Sequence, residues 1–235
     1  VCPKETDGSG RWEAMAPRAT QVRLLSRKIP GCRRCSRLAA FLEETRLKKP
    51  DWWNRPVPGF GDPEARLLVL GLAPGRGGAN RTGRPFTGDA AGVWLFKGLF
   101  DLGLSSRAEV ESSRDGTVLK GVYITNVVKC VPPGNRPTPA EIRACRPFLE
   151  EELKRLRSLE RILALGRVAY QGLKALVEDP AGMPPFSHGA RGAVRVAGRD
   201  YLLVCSYHPS RQNTNTGRLT WSMWMEALTR AAGKA

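Results

Sequence analysis

Histidine is almost absent from this chain, with two in 235 residues, and carboxylates are outnumbered, 22 Asp and Glu against 38 Lys and Arg. Two histidines without clustered carboxylates make a poor two-metal hydrolytic site, which speaks against a zinc-dependent nuclease or phosphatase. No window approaches the roughly 18 apolar residues of a membrane span, and residues 1–20 hold no signal-peptide apolar stretch. A cytoplasmic protein away from the membrane is expected. Internal repeats and low-complexity segments are lacking as well. Tight cysteine pairing is scarce: of six cysteines only Cys32 and Cys35 form a C-x2-C pair. That argues against a disulfide framework and leaves metal binding or simple burial.

What is present is enough apolar material, 41%, for one real core. The formal charge of +16 points to a polyanionic partner, with nucleic acid the simplest. The basic residues are spread along the chain, so a charged face is expected rather than a basic arm. Residues 1–20 have no hydrophobic period and read as a flexible extension. Residues 21–235 read as a single domain, expected to be a monomer.

Short apolar runs at 67–72, 122–127, 161–165 and 201–206 are bounded by turn residues or followed by helical patterns. They read as strands buried on both faces. Helical patterns follow at 93–102, 138–157, 167–177 and 220–232, and another begins at Ser36 with Leu38, Phe41, Leu42 and Thr45 on one face. Thr138, Pro139 and Glu141 spell a capping box with proline at the first helical position. The alternation predicts an α/β fold, a three-layer αβα arrangement around a central, mostly parallel four-stranded sheet.

Cys130 and Cys145 lie far from the C-x2-C pair, and Cys145 shares the apolar face of Ile142, Leu149, Leu153 and Leu156. Four thiolates suit zinc and an iron-sulfur cluster alike, and a buried, inert Cys145 is also consistent with the pattern. Cys2 and Cys205 fall outside this set. In an open α/β sheet, ligands bind beyond the carboxyl ends of the strands, so the loops there are where function is expected. The first, 71–89, has six glycines and three arginines. It lacks the Lys-Ser/Thr ending of a nucleotide P-loop and the G-x-G-x-x-G order of a dinucleotide site. Asp89 precedes a helix and could serve as its N-cap. Phe86 suits a core anchor or a base-stacking platform, and His188 and His208 both sit in loops beside Gly or Pro.

Taken together, the stretches Gly71-Leu72-Ala73-Pro74-Gly75, Gly78 to Arg84, Pro85-Phe86-Thr87-Gly88-Asp89, Phe186-Ser187-His188-Gly189 and Tyr207 to Thr214 resemble the uracil-DNA glycosylase superfamily. The likeness spans about residues 30–233 and is greatest to family 5, the type B, iron-sulfur-containing enzymes. It implies excision of uracil, or a related damaged base, from DNA by hydrolysis of the base-sugar bond. It implies a [4Fe-4S] cluster on Cys32, Cys35, Cys130 and Cys145, and catalytic roles for Asp89, His208 and Asn135. Gly71, Ala73, Gly75, Phe86, Asn126 and His188 would form the base pocket. Arg76, Arg81 and Arg84 suit phosphate contact, while Ser210, Arg211 and Gln212 would meet DNA, the last two as candidates to fill the gap left by a flipped base. Asn126 departs from the family 5 pattern, standing where that family commonly has a small apolar residue and where family 4 has an asparagine that reads the uracil edge. A narrower substrate range is therefore expected. The rival reading is a non-catalytic iron-sulfur protein that binds nucleic acid on the same fold.

Overall fold

The computed structural model describes residues 17–234. Most of the expected extension, with Cys2, lies outside the described residues. Its last residues do not: helix α1, Arg18–Lys28, begins within the 1–20 segment and buries Val22 and Leu25 against the core.

The sheet has six strands: β1, Phe60–Gly61; β2, Leu67–Gly71; β3, Val122–Asn126; β4, Arg161–Leu165; β5, Arg191–Val196; and β6, Arg199–Ser206. Their order is β1-β3-β2-β4-β6-β5. The four inner strands are parallel and are the four expected from the sequence. The expected count of four is thus corrected to six by an antiparallel strand at each edge. β1 is two residues long, too short to show a period. β5 reaches β6 through the two-residue turn Ala197-Gly198, both at positive φ, as a tight hairpin requires.

Side chains alternate between the two faces of the inner strands, and both faces are covered. Leu68, Leu70, Ile162, Ala164 and Leu203 pack with Leu38 of α2 (Ser36–Lys48), Leu149 and Leu153 of α5 (Pro139–Arg155), and Leu173 of α6 (Arg167–Lys174). On the opposite face Val69, Ile124, Leu163 and Val204 pack with Leu95 and Leu99 of α4 (Ala90–Asp101) and Trp224 and Leu228 of α8 (Trp221–Ala232). Two short helices, α3 (Ala79–Thr82) and α7 (Arg211–Asn215), lie in the loops after β2 and β6.

The capping box of α5 forms as expected: the Thr138 side chain accepts from the Glu141 backbone N–H, and the Glu141 carboxylate accepts from the Thr138 N–H. From β2 the chain crosses to β3 on one side and then returns to β4 on the other. The carboxyl ends of these strands therefore open a crevice at the point where the winding reverses. No helix among the described residues is long and apolar enough to cross a membrane.

Candidate active site

The crevice holds a pocket of about 440 Å³, lined by residues from the loops after β2, β3 and β6. The β2 loop shapes it through its missing side chains. A Cβ on Gly78 would lie 2.1 Å from Asp89 Oδ2, and one on Gly75 would lie 3.0 Å from the same atom. These two glycines make the space in which the carboxylate sits. Asp89 is also the N-cap of α4, its Oδ1 accepting from the Gly92 N–H at 2.9 Å. The two oxygens divide the labour: Oδ1 holds the helix and Oδ2 faces the glycine loop.

Phe86 is 6% exposed, lines the pocket and adopts φ 51°. That left-handed conformation is uncommon outside glycine. Gly71 permits the approach of Phe86 and Asn126, since a Cβ there would stand 2.7 Å from the Phe86 ring and 2.3 Å from Asn126 Oδ1. The Phe86 ring stacks on His208, with centroids 5.9 Å apart and planes 29° apart. Asn126, the last residue of β3, lines the pocket with its Oδ1 buried and without a hydrogen-bond partner. A buried acceptor without a partner, on a residue that lines a cavity, suits a ligand that brings a donor.

His208 follows β6, its backbone carbonyl accepting from Asn213 Nδ2 at 2.8 Å and from the Ser210 N–H at 2.8 Å. Burial lowers its pKa below the ordinary 6.5, although the nearby Asp89 charge opposes the shift. Its imidazole is neutral at pH 7. Asn135, at φ 56°, stands exposed on the rim, with Ser210 and Gln212 nearby.

One pocket thus gathers Ala73, Gly75, Phe86, Asp89, Asn126, Asn135, His208, Ser210 and Gln212, with Gly71 directly beneath. Arg81 and Arg211 line an adjoining open groove that also reaches Asp89. Arg76 is exposed, its guanidinium 5.9 Å from the Phe41 ring.

Two expected contacts are corrected. Arg84 cannot reach a phosphate: it is 3% exposed and both of its terminal nitrogens donate to the Asp115 carboxylate, at 2.9 and 2.6 Å. Its Nε donates to Thr87 Oγ1, so it braces the turn that carries Phe86 and Asp89. His188 does not line the pocket. Its Nε2 lies 3.2 Å from the Met223 carbonyl, while Nδ1 accepts from the Tyr207 N–H. Both ring nitrogens are engaged in holding the segment before His208.

Sequence reasoning missed the Arg84–Asp115 strut, because Asp115 lies in a stretch without regular pattern. It also missed a buried pair between Lys129 and Glu152, each 1% exposed. A signal for that pair existed. Glu152 falls at helical spacing with Cys145, Leu149 and Leu156, a charge on an otherwise apolar face.

Cys32, Cys35, Cys130 and Cys145 line one small cavity beside Leu38 and Phe148. All four are free thiols, and Cys205 is buried elsewhere in β6. Burial pushes the Cys130 and Cys145 thiols up, that of Cys145 to about 11, and the neighbouring cysteines add to the effect. Cys145 Sγ accepts from the Lys129 N–H at 3.2 Å. Four thiols drawn together, with burial disfavouring the charged form of Cys35, Cys130 and Cys145, fit a positively charged inorganic centre, which would make the thiolates stable. Among the described residues, no three Cys, His, Asp or Glu side chains converge on a position for a single ion.

The profile of the Uracil DNA glycosylase superfamily matches residues 58–230. The chain is similar to the type-5 uracil-DNA glycosylase of Thermus thermophilus, 49% identical over 208 residues that cover 86% of this chain and 93% of that protein. It is similar to the type-5 enzyme of Pyrobaculum aerophilum, at 45% identity over 88% of this chain and 91% of the relative. A type-4 uracil-DNA glycosylase from Archaeoglobus fulgidus is 33% identical over 78% of this chain and 79% of its own length.

Proposed function

We propose that this chain, which belongs to the uracil-DNA glycosylase superfamily, takes uracil from DNA into the pocket beyond β2, β3 and β6 and hydrolyses its N-glycosidic bond. The observation that carries this reading is the convergence of Asp89, Phe86, Asn126 and His208 on one crevice.

A base inside a duplex is out of reach, so the nucleotide must leave the stack. Phe86 offers the face on which the base stacks. Asn126 Oδ1 lacks a partner and accepts the imide N–H of uracil, while the amide nitrogen donates to the adjacent carbonyl. Cleavage gives the sugar oxocarbenium character as the bonding pair withdraws into the base. Asp89 Oδ2 stabilises the cationic sugar and orients the water that attacks C1′, with Asn135 helping to place that water. His208, neutral at pH 7, donates a hydrogen bond to the uracil oxygen on which negative charge collects. Free uracil and an abasic sugar result. Leu72 and Ala73 carry no polar side-chain atom, so the acid must come from Asp89.

The reading extends to Cys32, Cys35, Cys130 and Cys145 as holders of a [4Fe-4S] cluster. Their shared cavity supports this, since four thiolates are the usual ligands of such a cluster. When bound, the cluster would cross-link residues 32–35, the segment after β3 and α5. Asn126 implies narrower recognition than an enzyme that also takes hypoxanthine. Arg76, Arg81 and Arg211 would meet phosphates, and Gln212 or Arg211 would fill the gap left by the base, a reading supported by the open groove that Arg81 and Arg211 line beside Asp89. A monomer suffices, since one chain supplies the whole pocket, and the free thiols of the five described cysteines suit the cytoplasm. The carboxylate in the pocket weighs against a protein that only binds nucleic acid.

The test is incubation with uracil-containing DNA followed by alkali. Strand breaks at uracil positions are expected from the wild type and not from Asp89→Ala; their absence with the wild type would refute the reading.

A further inference from the structure

Next to Asn126, and with Lys129 also lining the cysteine cavity, lies the Lys129–Glu152 pair, closed to solvent at both ends. The Lys129 ammonium has three protons and three acceptors: Glu152 Oε2 at 2.7 Å, Thr125 Oγ1 at 2.5 Å and the Asn126 carbonyl oxygen at 2.9 Å. The Thr125 hydroxyl in turn donates a hydrogen bond to the Glu152 carboxylate. The same lysine is anchored through its backbone. Its N–H donates to Cys145 Sγ, and its carbonyl accepts from the Val57 N–H at 2.7 Å.

Well-packed apolar side chains would often serve stability as well as a buried ion pair does. What this pair adds is a fixed direction at Asn126. The Asn126 side-chain oxygen has no hydrogen-bond partner of its own. Its placement against Phe86 and Gly71 therefore depends on its backbone, which the ladder to β2 holds on one side and Lys129 fixes at the carbonyl.

We infer that Lys129, with Glu152 as its counter-charge, is a positioning residue for uracil recognition, setting the Asn126 amide against the edge of the base. The inference rests on the reading of the pocket as a uracil site. It assigns a part in selectivity to two residues that do not line the pocket.

The test compares wild type, Lys129→Met/Glu152→Gln, Lys129→Arg and Asn126→Ala in single-turnover excision of uracil and hypoxanthine. The double variant leaves no unpaired charge in the interior. Its uracil preference is expected to fall about tenfold, toward that of Asn126→Ala. Half-saturation on uracil DNA should rise while the saturating rate stays within about threefold, and Lys129→Arg should recover most of the preference. A wild-type preference in a folded double variant overturns the inference. So does a fall in saturating rate with the preference intact, which is what general loosening would give. If the double variant does not fold, Thr125→Val, which removes the hydroxyl between the two charges, is read by the same criteria. Failure of the wild type to excise uracil would instead bring down the pocket's reading, and the inference with it.

Discussion

Asp89 illustrates how one residue can satisfy two readings of a sequence. Its position before a helical pattern signalled an N-cap, and its place after Phe-Thr-Gly resembled a catalytic acid; Oδ1 caps the helix, and Oδ2, turned to the glycine loop, is left for the proposed part in cleavage. The choice between those readings was not legible because it depends on Gly75 and Gly78, whose missing Cβ atoms matter only once the loop has folded back. His208 was legible as a loop histidine, and so was His188, yet only the first faces the pocket. The neutral state of His208 has a consequence for pH. A histidine whose folded pKa is lowered binds its proton less readily than in the unfolded chain. Its contribution to stability is therefore present above 6.5 and is lost as pH falls below that value. Excision is accordingly expected to be insensitive to this group from alkaline pH down to 6.5, and to decline only below. Imidazole NMR shifts of His208 report the same titration, and a midpoint above 6.5 would contradict the assignment.

Among the elements, the four inner strands and the α5 capping box were legible because each carries its full signal in a few adjacent residues. The edge strands were not. The β5–β6 turn uses Ala197 at φ 49° where Asn, Asp or Gly would have announced a hairpin. The turn bearing Phe86 owes its shape to Arg84, and this is where the sequence misled, since an arginine in a glycine-rich loop resembles a phosphate ligand. Burial works against ionisation of Asp115, but hydrogen bonds from Arg84 and Thr117 hold its carboxyl well below the usual range. That stability is present above the unfolded value of about 3.8 and is lost as pH falls. Arg84→Ala leaves Asp115 without its ion partner, at an expected cost of about 3–5 kcal/mol in denaturant unfolding. It should leave the salt dependence of DNA binding unchanged. Arg81→Ala is expected to do the reverse, lowering the slope of log K against log salt by about 0.9 with little loss of stability. Exchanged outcomes would return Arg84 to the DNA.

For the molecule as a whole, the charge of +16 announced a polyanionic partner, but composition could not say where it binds. The parallel sheet offers a crevice where the strand order reverses, lined by the loops to which the proposal gives the chemistry. The cysteines follow the same logic. Spacing left the metal open because only one pair is close in sequence, and the fold delivers Cys130 from the segment after β3 and Cys145 from a helix. Freshly purified protein is expected to be coloured, with the broad visible absorbance of a [4Fe-4S] cluster, and Cys130→Ser to lose it. Colourless, iron-free protein that excises uracil at the full rate would remove the cluster from the account.

The central claim is that Asp89 supplies the charge for cleavage, and Asp89→Asn separates this from its duty at the helix. Asparagine caps a helix about as well as aspartate, so the melting temperature should hold, whereas the carboxylate's charge is gone. Single-turnover excision of uracil by this variant is expected to fall about 10²- to 10⁴-fold with an unchanged melting temperature. A stable variant that excises at the wild-type rate would contradict the account.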